Sequence, residues 1–124
     1  MTAGAAGLLV LDSISEAVGR GNGAIAVTGS HGGRSAARFA IEAGVRIAVF
    51  NDAGIGKDGA GIAALDMLER HAIAACTVGH LTARIGEAAS TLQDGVISHA
   101  NPSAVALGAR PGLGVRDWLA ALPG

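Results

Sequence analysis

Most of the residues in this chain that can do chemistry fall in four short segments. They are Gly29-Ser30-His31-Gly32-Gly33-Arg34-Ser35, Asn51-Asp52-Ala53-Gly54-Ile55-Gly56-Lys57-Asp58, Gly79-His80-Leu81-Thr82-Ala83-Arg84-Ile85-Gly86 and Ser98-His99-Ala100-Asn101. Between them they hold three of the four histidines, the only lysine and Arg84. Histidine exchanges protons near neutral pH, so His31 and His99 are candidate acid–base residues. Asp52 is a candidate base, or a carboxylate that orients a histidine. Ser30 is a candidate partner for His99 across the loops. Neighbours on a strand point to opposite faces, so neither Ser30-His31 nor Ser98-His99 is expected to form its own couple.

Lys57 and Arg84 are of the type that holds a carboxylate or phosphate. A lysine near a helix N-terminus opposes the helix dipole, and a bound anion would offset that. Gly29, Gly32 and Gly33 would let backbone N–H groups approach such an anion. Asn51, His80, Ser98 and Asn101 complete the candidate binding set. Each has a plainer rival. Asp52 would bond turn backbone, Arg84 would pair with Glu87, and Asn101 would cap the helix opened by Pro102. Cys76 reads as a buried structural thiol, and His71 belongs to the opposite strand ends.

Other chemistries are less well supported. His31, His80, His99 and Asp52 could ligate zinc or a similar ion, but no H-x-H, H-x₃-H or C-x₂-C spacing backs that set. No dinucleotide fingerprint, Walker loop or Gly-x-Ser-x-Gly elbow occurs, and the sequence names no cofactor. The stretch Gly29-Ser30-His31-Gly32 resembles the nucleotide loop of universal stress proteins. Glu42 stands where that spacing wants a further glycine, and nothing downstream matches, so the resemblance is not carried further.

The elements that must position these segments are apolar runs. Ala24–Thr28, Arg46–Phe50 and Ala72–Val78 are nearly continuous in apolar residues, as parallel strands buried on both faces are. Val96–Ser98 is a shorter fourth. Leu8–Leu11 reads as a fifth strand, although the pattern also fits a helix running to Gly19. Helices are expected at Arg34–Ala43 with Gly44 closing it, from Gly59 to Arg70 capped by Asp58, and from Pro102 to near Gly108. Val115, Trp118, Leu119 and Leu122 form one apolar stripe that would pack on the sheet or on a second subunit. The alternation predicts one domain over residues 1–124. Its fold is expected to be a three-layer α/β/α sandwich with a mostly parallel sheet of four or five strands, Rossmann-like or flavodoxin-like. In such sheets ligands bind outside the carboxyl ends of the strands at a switch point, where the four segments would sit.

Composition narrows the class. The chain has 124 residues, 50% hydrophobic and 15% charged, which excludes a disordered chain. Twenty glycines with two Phe, one Trp and no Tyr give a core of small side chains, from which a homo-oligomer is expected. A net charge of −1 with so few aromatics argues against a nucleic-acid partner. No apolar run approaches the roughly 18 residues of a membrane span. One cysteine and a start without a basic region predict a cytoplasmic location. The expected function is an enzyme of isomerase, lyase or hydrolase type acting on a small anionic metabolite. The alternatives are a non-catalytic metabolite- or nucleotide-binding or assembly module, and a metal-dependent enzyme using the strand-end histidines.

Overall fold

Alanine sets how closely the layers of this protein pack. In the computed structural model, which describes residues 7–123, helix α1 (Arg34–Ala43) buries Ala36, Ala37, Ala40 and Ala43. They lie in one cluster with Ala26, Ala48 and Ala75 of the sheet. Residues 1–6, read above as lacking a secretory signal, lie outside the described part.

The sheet has five strands: β1 (Leu8–Leu11), β2 (Ile25–His31), β3 (Ile47–Asn51), β4 (Ala74–Val78) and β5 (Ile97–Ala100). They stand side by side in chain order. The first four are parallel, and β5 runs antiparallel to β4. All five residues of β3 and all five of β4 are buried, which accounts for their unbroken apolar sequence. Helices α1 and α2 (Ala63–Glu69) and a 3₁₀ turn at Ile14–Ala17 cover one face, over Ala48 and Phe50. The other face, with Val27, Val49 and Cys76, lies under α3 (Ala88–Asp94), α4 (Pro102–Ala106) and α5 (Val115–Ala121). The result is the expected α/β/α sandwich.

Three expectations change. Strand β2 runs three residues further than predicted, so Gly29, Ser30 and His31 are strand rather than loop. Asp58 caps no helix; it is itself left-handed (φ 58°) inside a 3₁₀ segment, and α2 starts only at Ala63. The C-terminal stripe is consumed within the chain. Val115 and Trp118 are buried, and the Trp118 indole Nε1 donates to Leu107 O at 3.0 Å. That helix therefore supplies no argument for an oligomer. Among the described residues, no helix is long and apolar enough to cross a membrane.

Candidate functional site

Connections leaving β3 and β4 part company. The chain after β3 turns to the α1–α2 face, and the chain after β4 crosses to α3 on the other. The strand order has no reversal, but adjacent strands whose connections diverge still open a crevice at their carboxyl ends. Asn51-Asp52 and Gly79-His80 flank it.

Asp52 is the buried carboxylate beside this crevice. It is only 5% exposed. Its Oδ1 accepts from Gly54 N at 2.8 Å and His80 N at 3.1 Å, and lies 3.4 Å from His80 Nδ1. Burial by itself pushes this carboxyl up. The Gly54 amide, the Ser98 hydroxyl, the His80 amide and the His80 charge together outweigh burial and hold it below its ordinary value. Half of the His80 side chain is exposed. Its ring lies across Gly54, where a Cβ would sit 3.5 Å from Cε1.

The loop carrying Asp52 is strained. Ala53 (φ 51°), Ile55 (φ 70°) and Asp58 (φ 58°) are left-handed without being glycine, at a cost of about 1–3 kcal/mol each. Gly61 makes the fold-back possible: its Cβ would fall 1.8 Å from Asp52 O. Asn51 pins the facing loop, donating from Nδ2 to Ala83 O and accepting at Oδ1 from Ala53 N.

The Ser98 hydroxyl, one of the groups that hold the Asp52 carboxyl down, belongs to β5. A register shift between Thr77 and Val78 turns Ser98 and His99 the same way, against the expectation that they point apart. Ser98 Oγ lies 2.9 Å from Thr77 Oγ1 and 3.3 Å from His99 Nδ1. Asp52 and His80 thus form one contact, and Thr77, Ser98 and His99 form a separate hydrogen-bonded group on β4 and β5, to which Thr77 belongs without any mark in its strand sequence.

The other candidates go elsewhere. Ser30 Oγ accepts from Ile14 N and holds the 3₁₀ turn. A Cβ on Gly29 would meet Glu87 N at 2.3 Å, and one on Gly32 would meet Gly61 O at 2.6 Å. These glycines pack backbone on backbone. The amides of Gly29, Gly32 and Gly33 donate to Asp12 O, Asn51 O and His31 O, so none is free for an anion. His31 and Lys57 line a separate cleft with Arg34. His99 faces a groove with Arg34, Arg38 and Arg70. Because β5 is antiparallel, Asn101 lies at the amino edge of the sheet. It caps α4 and bonds Leu65, Ile73 and Ala75. Ser30, His31, Asp52, Arg84 and His99 do not border one cleft. Nor do His31, His80, His99 and Asp52 assemble as ligands: among the described residues no three His, Cys, Asp or Glu side chains are grouped to hold an ion.

Arg84 does share a cleft with His80. It has a volume of about 740 Å³ and is lined also by Thr82, Ser90, Leu81 and Ile85. Arg84 pairs with Glu87 at 3.7 Å, both largely exposed, so the pair is weakly held.

No family model, curated protein or solved structure matches this chain. Its function has to be argued from these residues.

Proposed function

We propose that the chain is an enzyme that moves a proton on a small anionic metabolite, with His80 as the catalytic base. The reading rests chiefly on the buried Asp52 carboxylate, held ionised 3.4 Å from the Nδ1 of a half-exposed His80. A carboxylate placed there holds the proton on Nδ1 and steadies the imidazolium that forms during transfer. Nε2 is then the nitrogen left for the substrate. The 3.4 Å separation is long for a hydrogen bond, and such contacts tighten when substrate excludes water. Arg84 supplies a planar fork for a carboxylate or phosphate in the same cleft. Proton abstraction beside a carboxylate gives an isomerase or lyase; activation of water by the same base gives a hydrolase. Ser98 is not the nucleophile, because its hydroxyl is engaged by Thr77. The buried, unpaired thiol of Cys76 suits a reducing cytoplasm, where we place the protein.

The test is solvent exchange. A panel of small carboxylates in D₂O should show protein-dependent deuterium incorporation at the carbon next to the carboxylate, or hydrolysis of an ester. His80→Gln should lower the rate roughly 100-fold or more. Asp52→Asn should lower kcat with little change in KM, since Asp52 acts through His80. Saturable binding without exchange or hydrolysis would make the chain a binding module instead.

A further inference from the structure

Leu81 is 88% exposed and Ile85 is 54% exposed. Both lie on the connection that carries His80 and Arg84, and both line the same cleft. Large aliphatic side chains in water are unfavourable, and binding clefts combine such surface with a few placed polar groups. The polar groups limit the charge a ligand can carry. Arg84 is the only Lys or Arg lining this cleft, and its one ion pair there is the exposed contact with Glu87. One guanidinium has a fork for a single carboxylate, and without a second cation the cleft disfavours a polyphosphate. The cleft, at about 740 Å³, is also far larger than a bare carboxylate needs.

We infer that this cleft takes an amphipathic monocarboxylate, its carboxylate on Arg84 and its alkyl or aryl part against Leu81 and Ile85. The inference rests on the reading of His80 and Arg84 as the reacting end of the cleft and names the other end. Leu81 and Ile85 are then specificity-determining residues. Burying them under substrate also dries the His80 side of the cleft, which strengthens the Asp52–His80 contact.

The experiment titrates the full chain with acetate, butyrate, hexanoate and phenylacetate. Binding is followed through the His80 ring resonances at constant ionic strength. Each added methylene should tighten binding up to roughly fourfold, and phenylacetate should bind more tightly than acetate. Leu81→Ser combined with Ile85→Ser should flatten that gain. Both side chains are exposed, so the fold should survive the change. Acetate reaching His80 with no gain from longer chains overturns the inference and leaves the base reading standing. A gain that survives the double variant also overturns it, because the apolar part then lies elsewhere. Failure of every carboxylate to perturb His80 overturns both readings. Concentration-dependent self-association that the double variant abolishes makes the patch a subunit contact, which again overturns the inference.

Discussion

Asp52 and Asn101 each follow directly on the end of a strand, β3 and β5, and both are buried. In the sequence they look alike, each a polar residue closing an apolar run beside a histidine-bearing segment. In the structure they differ in what remains to be satisfied. Asn101 Nδ2 donates to Leu65 O and Ile73 O, and its Oδ1 accepts from Ala75 N and Ala104 N. Both donors and both acceptor positions are spent, so the side chain fastens α2, β4 and α4 together. Asp52 instead keeps acceptor capacity turned toward a half-exposed imidazole. The difference comes from strand direction: β5 is antiparallel and delivers Asn101 to the far edge of the sheet. A fully satisfied buried amide is architecture; a buried carboxylate aimed at an exposed histidine is a candidate for chemistry.

The sharpest way to break this contrast is Asn101→Ala. It leaves the buried amides of Ala75 and Ala104 without their acceptor and takes a donor from two carbonyls, and should cost about 3 kcal/mol or more. Urea denaturation measures the loss. The response of His80 to carboxylates should stay unchanged under conditions where the variant is folded. A variant close to wild type in stability would mean that Asn101 is not the fastening described.

Much of the fold could be read from the chain because it follows from local rules. The unbroken apolar runs of β3 and β4, the alanine face of α1 and Gly44 at its left-handed end all match expectation. Strand direction could not be read, because the residues Val-Ile-Ser-His look the same in either direction. The site was half legible. Asp52 and His80 were picked out and do meet, as do Ser98 and His99 in a separate pair, whereas Ser30, Gly29 and Gly32 resembled ligand-loop residues but serve packing. Those glycines answer to the backbone of Glu87 and Gly61, distant in sequence. The strain at Ile55 was invisible, since nothing in NDAGIGK requires an isoleucine to be left-handed.

Gly61→Ala probes how the two regions are built, with a smaller effect. The new methyl group would strike the Asp52 carbonyl, which is backbone and has little room to yield. A loss of roughly 1–3 kcal/mol is expected. Unlike Asn101→Ala, it should also weaken the response of His80 to carboxylates, because Asp52 itself is displaced. Loss of stability with an intact His80 response would show that the loop does not position Asp52.

The smallest effect, and the one specific to charge, is the pH dependence of Asp52→Asn. An amide at this position can still accept from Gly54 and His80, so only the charge assistance is lost, about 1 kcal/mol at neutral pH. The folded carboxyl lies below its ordinary value of roughly 3.9. Its stabilising contribution is therefore fully present above that value and is lost as the pH falls through the lower, folded one. The stability gap between wild type and Asp52→Asn should be open at about pH 5 and close in stronger acid. Acid-sensitive groups that do not touch Asp52 are common to both proteins and cancel in the difference. His80→Gln removes one of the pulls that hold this carboxyl down. In that background the Asp52 contribution should be smaller and should vanish at a higher pH. A gap that stays open in acid would mean that the Asp52 carboxylate adds nothing to stability through its charge. The contrast with Asn101 would then rest on geometry alone.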